Sequence, residues 1–220
     1  MAQSIVSDGS SIVTVALISH YMGLRAMICY SNVWMVVYTV FLINDAWYDT
    51  VYKHVNVSAS TKTKAGYLSA GLYLKVGVIG NFLMAIPFSI SAVLFMPDIL
   101  RWIGYDEIIT EMSTGYALVA VLNNLFDSTT GLIDCVLDIE GHATFTAIFE
   151  FWDSIICAFL QYLFMRQYRP NLWQLGLFHL AEDVVFTAIY FFITGFYKRW
   201  FQPYREGIRS PLKSSVSFHV

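Results

Sequence analysis

Polar and acidic side chains recur at helical spacing inside three apolar stretches of this chain. They are Asn123, Asp127, Asp134 and Asp138; Glu150, Asp153, Cys157 and Gln161; and His179, Asp183, Thr187, Tyr190 and Thr194. Spacings of three, four and seven residues place each set on one face of a helix. An ionisable group in a membrane helix is costly and usually faces a bundle interior or a water-filled cavity. The three stripes therefore predict a polar cavity between helices and, as a first hypothesis, a transport route.

The carboxylates in these stripes favour coupling to a proton or a cation. A carboxylate in such a cavity can bind and release a proton, and it can attract an organic cation, helped by aromatic faces. The candidates are Asp127, Glu150, Asp153 and Asp183. The alternative is that single acids lie at a membrane surface or pair with Lys75 or Arg166. The expected coupling ion is a proton or sodium, and no other cofactor is predicted.

The composition predicts that membrane helices position these residues. The chain of 220 residues is 57% hydrophobic and only 13% charged, whereas soluble domains are about 25% charged. Apolar runs of span length predict an all-α integral membrane protein, with one bundle of about six transmembrane helices in residues 1–197. The spans are expected near 10–19 (short), 26–46, 66–96, 112–137, 143–165 and 172–197. A polar connection at 44–64, an acidic loop at 97–111 and a basic tail at 198–220 complete the prediction.

The distribution of lysine and arginine predicts the orientation of the bundle. Counting alternate connections, one side holds Lys53, Lys62, Lys64, Lys75 and the five basic residues of the tail, nine in all, and the other side holds four arginines. The richer side is expected to be cytoplasmic. The C-terminal tail would then be cytoplasmic, and the chain would be a multi-pass protein of a plasma or organelle membrane.

Motifs for catalysis and for metal binding are absent from the sequence. There is no GxSxG, no glycine-rich phosphate loop and no HExxH, and the five histidines are scattered. The chain is therefore not expected to be an enzyme, to hold a metal ion or to bind nucleic acid. An intramembrane hydrolase remains a third hypothesis, and it would need two aspartates brought together from two helices.

Three motifs, taken in order, resemble the N-terminal lobe of multidrug and toxic compound extrusion (MATE) transporters. ISHYMGLRAMICYSNVW resembles the first extracellular turn of that family, a glycine turn followed by small residues entering the second helix. MPDILRWIGYDEIITEMSTGY resembles the connection between helices three and four. IDCVLDIEGHATF resembles the cytoplasmic turn between helices four and five. The resemblance covers roughly residues 10–198 and rests on the order and spacing of these motifs.

The resemblance implies a six-helix lobe whose inner face lines half of a central cavity in the lipid bilayer. Members of the family export organic cations or other amphipathic compounds, driven by protons or sodium. The polar residues implied to line the cavity are Asn123, Asp127, Glu150, Asp153, Ser154 and Thr187, to which the stripe analysis adds Asp183. The implied function is secondary active efflux by alternating access.

The sequence departs from the family pattern in three respects. A family transporter has two lobes whereas one is evident here, and the first helix is short. Many members also carry an acid in that helix, near the position of Thr14 or Val15, where this chain has none. These departures imply a half-transporter or a fragment, acting as a homodimer or with a complementary C-terminal half. The alternative function is a non-transporting membrane subunit that scaffolds a larger complex.

Overall fold

Six long helices, connected by short turns, make up most of the protein. A computed structural model describes residues 2–210, without the side chains of 2–10, 40, 41, 43–45, 127–129, 132 and 133. The described residues contain no strand. The helices are α1 Ala2–Met22, α2 Leu24–Ser60, α3 Lys64–Ile103, α4 Glu107–Ile139, α5 Ala143–Tyr168, α6 Leu172–Phe191 and α7 Arg205–Arg209. A π-helical turn at Phe192–Tyr197 extends α6, and a 3-10 turn at Gln202–Tyr204 precedes α7.

Side-chain caps and glycines set the ends of these helices. Asp106 accepts a hydrogen bond from the backbone N–H of Ile109 at 2.8 Å, and Asn171 forms a capping box with Gln174. Both bonds satisfy N–H groups that the first turn of a helix leaves free. Each of the three motifs that carry the family resemblance contributes one glycine in a turn with positive φ, a conformation that other residues rarely adopt. These are Gly23, Gly104 and Gly141, with φ of 89°, 99° and 81°.

The short turns make successive helices antiparallel and give the bundle two ends. The Gly23 end contains the turns at 23, 104–106 and 169–171. The C-terminal end contains the turns at 61–63 and 140–142 and the segment after α6. Consequently α2, α4 and α6 run in the same direction, from the Gly23 end to the C-terminal end. The basic side predicted from the sequence corresponds to the C-terminal end.

Helix α4 lies at the centre of the bundle and packs against α2, α3 and α6. Tyr116 is fully buried in the main apolar core, together with Val33 of α2 and Leu175 of α6. Its ring lies where a side chain at Gly176 would be, since a Cβ atom there would come within 2.9 Å of the ring. The glycine therefore allows α6 to approach α4 closely. This contact aligns the polar stripe of α6 with that of α4.

Three helices are long and apolar enough to cross a membrane, judged over the described residues. They are α3, α5 and α6 continued to Tyr197. The predicted all-helical membrane protein agrees with this finding. The spans predicted within α2 and α4 include side chains outside the described set, and the count of about six spans stays a prediction.

Two connections predicted from the sequence are mostly helical. The acidic loop predicted at 97–111 is wrong, because α3 continues to Ile103 with Pro97 inside it and α4 begins at Glu107. Membrane helices tolerate proline when neighbouring groups satisfy the freed backbone carbonyl. The polar connection at 44–64 is also helical as far as Ser60, where α2 ends. Hydropathy reports the polarity of side chains and not the conformation of the backbone. A prediction based on it therefore ends α2 and α3 where their side chains become polar, before the helices themselves end.

The beginning of the basic tail folds back onto the C-terminal end of the bundle. Tyr204 is fully buried and its hydroxyl donates to Glu140 Oε1 at 2.6 Å. Burial, and then this hydrogen bond, raise the pKa of Tyr204, so the phenol stays protonated as the donor. Lys75 Nζ donates to the carbonyl of Ser210 at 3.0 Å. The segment at 202–210 is therefore anchored to α3 and to the α4–α5 turn.

Close approach of two backbones at Gly71 and Gly207 generates the first prediction. A Cβ atom at Gly71 would contact the carbonyl of Tyr204 and come within 3.0 Å of Gly207 Cα. We expect Gly71→Ala to lower the free energy of unfolding by about 1–3 kcal/mol through overpacking and to detach α7. Thermal unfolding in detergent and trypsin cleavage at Arg205 and Arg209 measure both effects.

Gly115→Ala is the matched control, because a Cβ atom there meets nothing within 4 Å. It adds a better helix former to α4 and is expected to leave α7 docked. Equal cleavage and equal unfolding temperatures in the two variants would contradict the proposed close packing.

Candidate functional site

A cavity of about 450 Å³ lies among α1, α2, α4, α5 and α6. Its lining is mainly polar and aromatic. The lining residues are Ser11, Thr14, Val15, Tyr30, Ser31, Trp34, Tyr38, Asn123, Asn124, Asp153, Ser154, Cys157, Ala158, Gln161, His179, Glu182 and Asp183. All three sequence stripes contribute to it. The polar cavity predicted from helical spacing is therefore present in the structure.

The cavity lies partway along the helices. Glu182 follows the start of α6 at Leu172 by ten residues, which is about 15 Å at 1.5 Å per residue. Asp153 lies fifteen residues before the end of α5 at Tyr168, about 22 Å from the Gly23 end. A bilayer core is about 30 Å thick. The cavity thus occupies the middle of the predicted membrane region.

Three carboxylates from two helices share the cavity. Asp153 comes from α5, and Glu182 and Asp183 come from α6. The charges of Asp183 and Asp153 both act on Glu182. No lysine or arginine is among the lining residues, and His179 is the basic side chain found there. This excess of negative charge favours a cationic occupant, because like charges repel strongly at low dielectric.

Buried polar atoms without a partner surround the same cavity. They are Asn123 Oδ1 on α4, Gln161 Nε2 on α5 and Glu182 Oε1 on α6, all described atoms. An unsatisfied buried polar atom costs about 1–3 kcal/mol. Three on different helices at one cavity indicate a place for a ligand or for ordered water, which would satisfy them.

An aromatic wall on α2 faces the carboxylates. Tyr30, Trp34 and Tyr38 follow each other at four-residue spacing and all line the cavity. Trp34 Nε1 donates to the hydroxyl of Tyr116 at 3.1 Å, and the Tyr30 and Tyr116 ring centroids are 5.7 Å apart. These contacts orient the rings. Aromatic faces attract organic cations through their quadrupoles.

Four of the seven predicted site residues line this cavity. They are Asn123, Asp153, Ser154 and Asp183. Thr187 does not; its hydroxyl lies 3.4 Å from that of Thr130 on α4. Glu150 also lies outside the lining, seven residues before Cys157 on α5. The side chain of Asp127 lies outside the described residues.

Toward the C-terminal end of the bundle, the stripes continue past the cavity as a second polar cluster, whose members form hydrogen bonds with one another. The Tyr190 hydroxyl of α6 donates to Asp134 Oδ1 of α4. The same hydroxyl lies 3.4 Å from Thr146 Oγ1 of α5. Thr194 donates to the carbonyl of Tyr190 at 2.8 Å. Here the polar residues satisfy each other, and helix packing explains them without a ligand.

The stripes in the sequence do not predict Glu182 or the aromatic wall. Glu182 immediately precedes Asp183 and so lies beside the face defined by His179, Asp183 and Thr187, although it is three residues after His179. The spacing of Tyr30, Trp34 and Tyr38 is visible in the sequence, but it equally fits an apolar packing face. Only the positions of the neighbouring helices distinguish a cavity wall from a packed surface.

The position in α1 where the family resemblance implies an acid lies at the cavity. Thr14 and Val15, where the family resemblance leads one to expect an acid, both belong to the lining. The carboxylates instead come from α5 and α6. Among the described residues, no group of three or more His, Cys, Asp or Glu side chains is arranged to hold a metal ion.

Comparison with known families agrees with the resemblance seen in the sequence. Residues 63–163 match the family model described as MatE, over slightly less than half of the chain. No curated protein and no solved structure matches the chain. The matched range contains α3, α4 and most of α5, and it includes Asn123, Asp153 and Ser154. It supports membership of a family of membrane efflux transporters, which are not enzymes.

The carboxyl group of Glu182, which has one oxygen without a partner, generates the second prediction. We expect Glu182→Gln to raise the free energy of unfolding of the empty protein by about 1 kcal/mol, because it removes a group that Asp153 and Asp183 repel when all three are ionised. Thermal unfolding in detergent without added ligand is the measurement.

Glu206→Gln is the matched control, because Glu206 forms an exposed ion pair with Lys64 at 3.4 Å. Exposed pairs contribute less than about 1 kcal/mol, so this variant should behave like the parent protein. A loss of stability in Glu182→Gln would show that the fold compensates this carboxylate.

Proposed function

We propose that this chain forms one lobe of a secondary transporter that exports organic cations or amphipathic compounds by alternating access. The observation that carries the proposal is a cavity partway along the helices, with three carboxylates, an aromatic wall and no lining lysine or arginine. The match of residues 63–163 to the MatE family model supports the same class.

The charge of the cavity gives a physical basis for exchange. Asp153, Glu182 and Asp183 repel one another when all three are ionised, so a bound cation stabilises the cavity. An organic cation does so through the carboxylates and through the faces of Trp34 and its neighbours. A proton or a sodium ion does so at the carboxylates alone. The two kinds of occupant therefore compete, and competition at one site couples their movements across the membrane.

The alternative of a scaffolding subunit predicts acids paired at contacts between subunits. Within the described residues, Asp153, Glu182 and Asp183 instead line a cavity inside one chain. This placement favours transport over scaffolding. The hydrolase hypothesis gains no support from the family match, which is to transporters.

The third prediction tests the role of the carboxylates. We expect the triple variant Asp153→Asn, Glu182→Gln and Asp183→Asn to lose pH-gradient-driven uptake of tetraphenylphosphonium in reconstituted vesicles. Its affinity for this cation should fall by more than about tenfold, because the variant removes the charges that attract it. Equilibrium binding in detergent separates binding from transport.

The matched control changes three exposed acids by the same charge: Asp98→Asn, Glu107→Gln and Glu206→Gln. These acids form ion pairs on the protein surface, with Arg101 and Lys64. Uptake should persist in this variant. Equal uptake by both triple variants would overturn the proposed mechanism.

The fourth prediction concerns the partner lobe. Apolar side chains such as Phe159, Val185 and Phe192 are exposed on α5, on α6 and on the π-helical turn that extends α6, where lipid or a second lobe would cover them. We propose that a second copy of the chain supplies that lobe, with a complementary half as the other candidate. Size measurement and cross-linking in detergent should detect a dimer, and transport by an isolated monomer would contradict the half-transporter.

A further inference from the structure

Gln161 presents a hydrogen-bond donor to a cavity that is otherwise dominated by acceptors. Its side chain is only 3% exposed, and its Nε2 atom has no partner in the described structure. The unpartnered atoms of Asn123 and Glu182 are acceptors, and they suit a cationic or donor group. An amide N–H suits the opposite, an oxygen or a nitrogen with a free lone pair.

Thr14 of α1 sets the direction of this donor. Its Oγ1 donates to Gln161 Oε1 at 3.0 Å, which holds the carbonyl side of the amide against α1. The NH₂ side is thereby turned away from α1. Both residues line the cavity, so in this arrangement a ligand meets the NH₂ end of the amide.

The donor and the carboxylates lie at different depths. Gln161 is seven residues before the end of α5, about 10 Å from the Gly23 end, whereas Glu182 is about 15 Å from it. A ligand that reaches both atoms has its cationic centre deeper and its acceptor nearer the Gly23 end. The axial separation of about 5 Å corresponds to a spacer of three or four bonds.

We propose that the cavity selects cations that carry a hydrogen-bond acceptor a few bonds from the charge, that Gln161 recognises the acceptor, and that Thr14 positions Gln161. The inference rests on the proposed function and names its substrate class more narrowly. Gln161 determines specificity by touching the ligand. Thr14 acts through Gln161 and is a positioning residue.

A pair of probes that differ by one carbonyl tests the proposal. They are 4-oxopentyltrimethylammonium and n-pentyltrimethylammonium, with binding to the full chain measured by calorimetry in detergent. The readout is the ratio of the two affinities, which cancels effects on the cation site and on folding. We expect Gln161→Leu to lower the preference for the oxo compound by about five- to tenfold, the loss of one hydrogen bond.

Further variants separate recognition from structure. Gln161→Met keeps the length of the side chain but removes the donor, so the ratio should fall there as well, even if Gln161→Leu fails to fold. Thr14→Val should lower the ratio by a smaller factor, and Thr14→Ser should restore it. Thr39→Val is the control for Thr14, because Thr39 is exposed and donates to its own helix at Met35 O.

The possible outcomes distinguish the two proposals. A ratio that falls in both Gln161 variants and recovers in Thr14→Ser supports the inference. An unchanged ratio, with both probes bound, overturns the inference and leaves the transporter proposal standing, since water would then satisfy Nε2. Failure of the unmodified protein to bind either cation overturns the proposed function itself.

Discussion

The arrangement of the bundle depends on how buried polar groups in an apolar environment are compensated. Toward the C-terminal end, Asp134 and Tyr190 are compensated by one another across α4 and α6. At the cavity, Asn123 and Glu182 each retain an unpartnered atom. The stripes therefore divide into a part that holds helices together and a part that is open to an occupant. Only the second part suits the proposed transport, because a fully satisfied hydrogen-bond network has no free donor or acceptor for a ligand.

Close packing of α6 on α4 holds two of the helices that line the cavity together. Gly176 lets α6 approach the ring of Tyr116, and the hydroxyl of Tyr116 accepts a hydrogen bond from Trp34 of the aromatic wall. One buried tyrosine of α4 thus contacts both α2 and α6. On the far side, the bond between Thr14 and Gln161 joins α1 to α5. The helices that line this partly open cavity are thus cross-connected by specific side chains, although α5 itself is mostly exposed.

The C-terminal segment makes the two ends of the bundle unequal. Tyr204 and Ser210 tie α7 to Glu140 and to Lys75, whereas the Gly23 end is connected by turns of one to three residues. In an alternating-access mechanism, relative movement of the helices must open one end while the other stays closed. Bonds between the tail, α3 and the α4–α5 turn would hold these elements together as one unit during such a movement.

The sequence by itself determined the membrane class, the helical periodicity and the glycine turns, because hydropathy and spacing are local properties. The stripes also place Asn123, Asp153 and Asp183 on faces that line the cavity, and the family resemblance implies Ser154. The tertiary structure decided which polar residues share that cavity. It excluded Glu150 and Thr187 and added Glu182 and Trp34, since these outcomes depend on how far each helix is rotated and shifted against its neighbours. Helical spacing gives each stripe a face, but only packing between helices decides whether that face meets a partner or an empty volume.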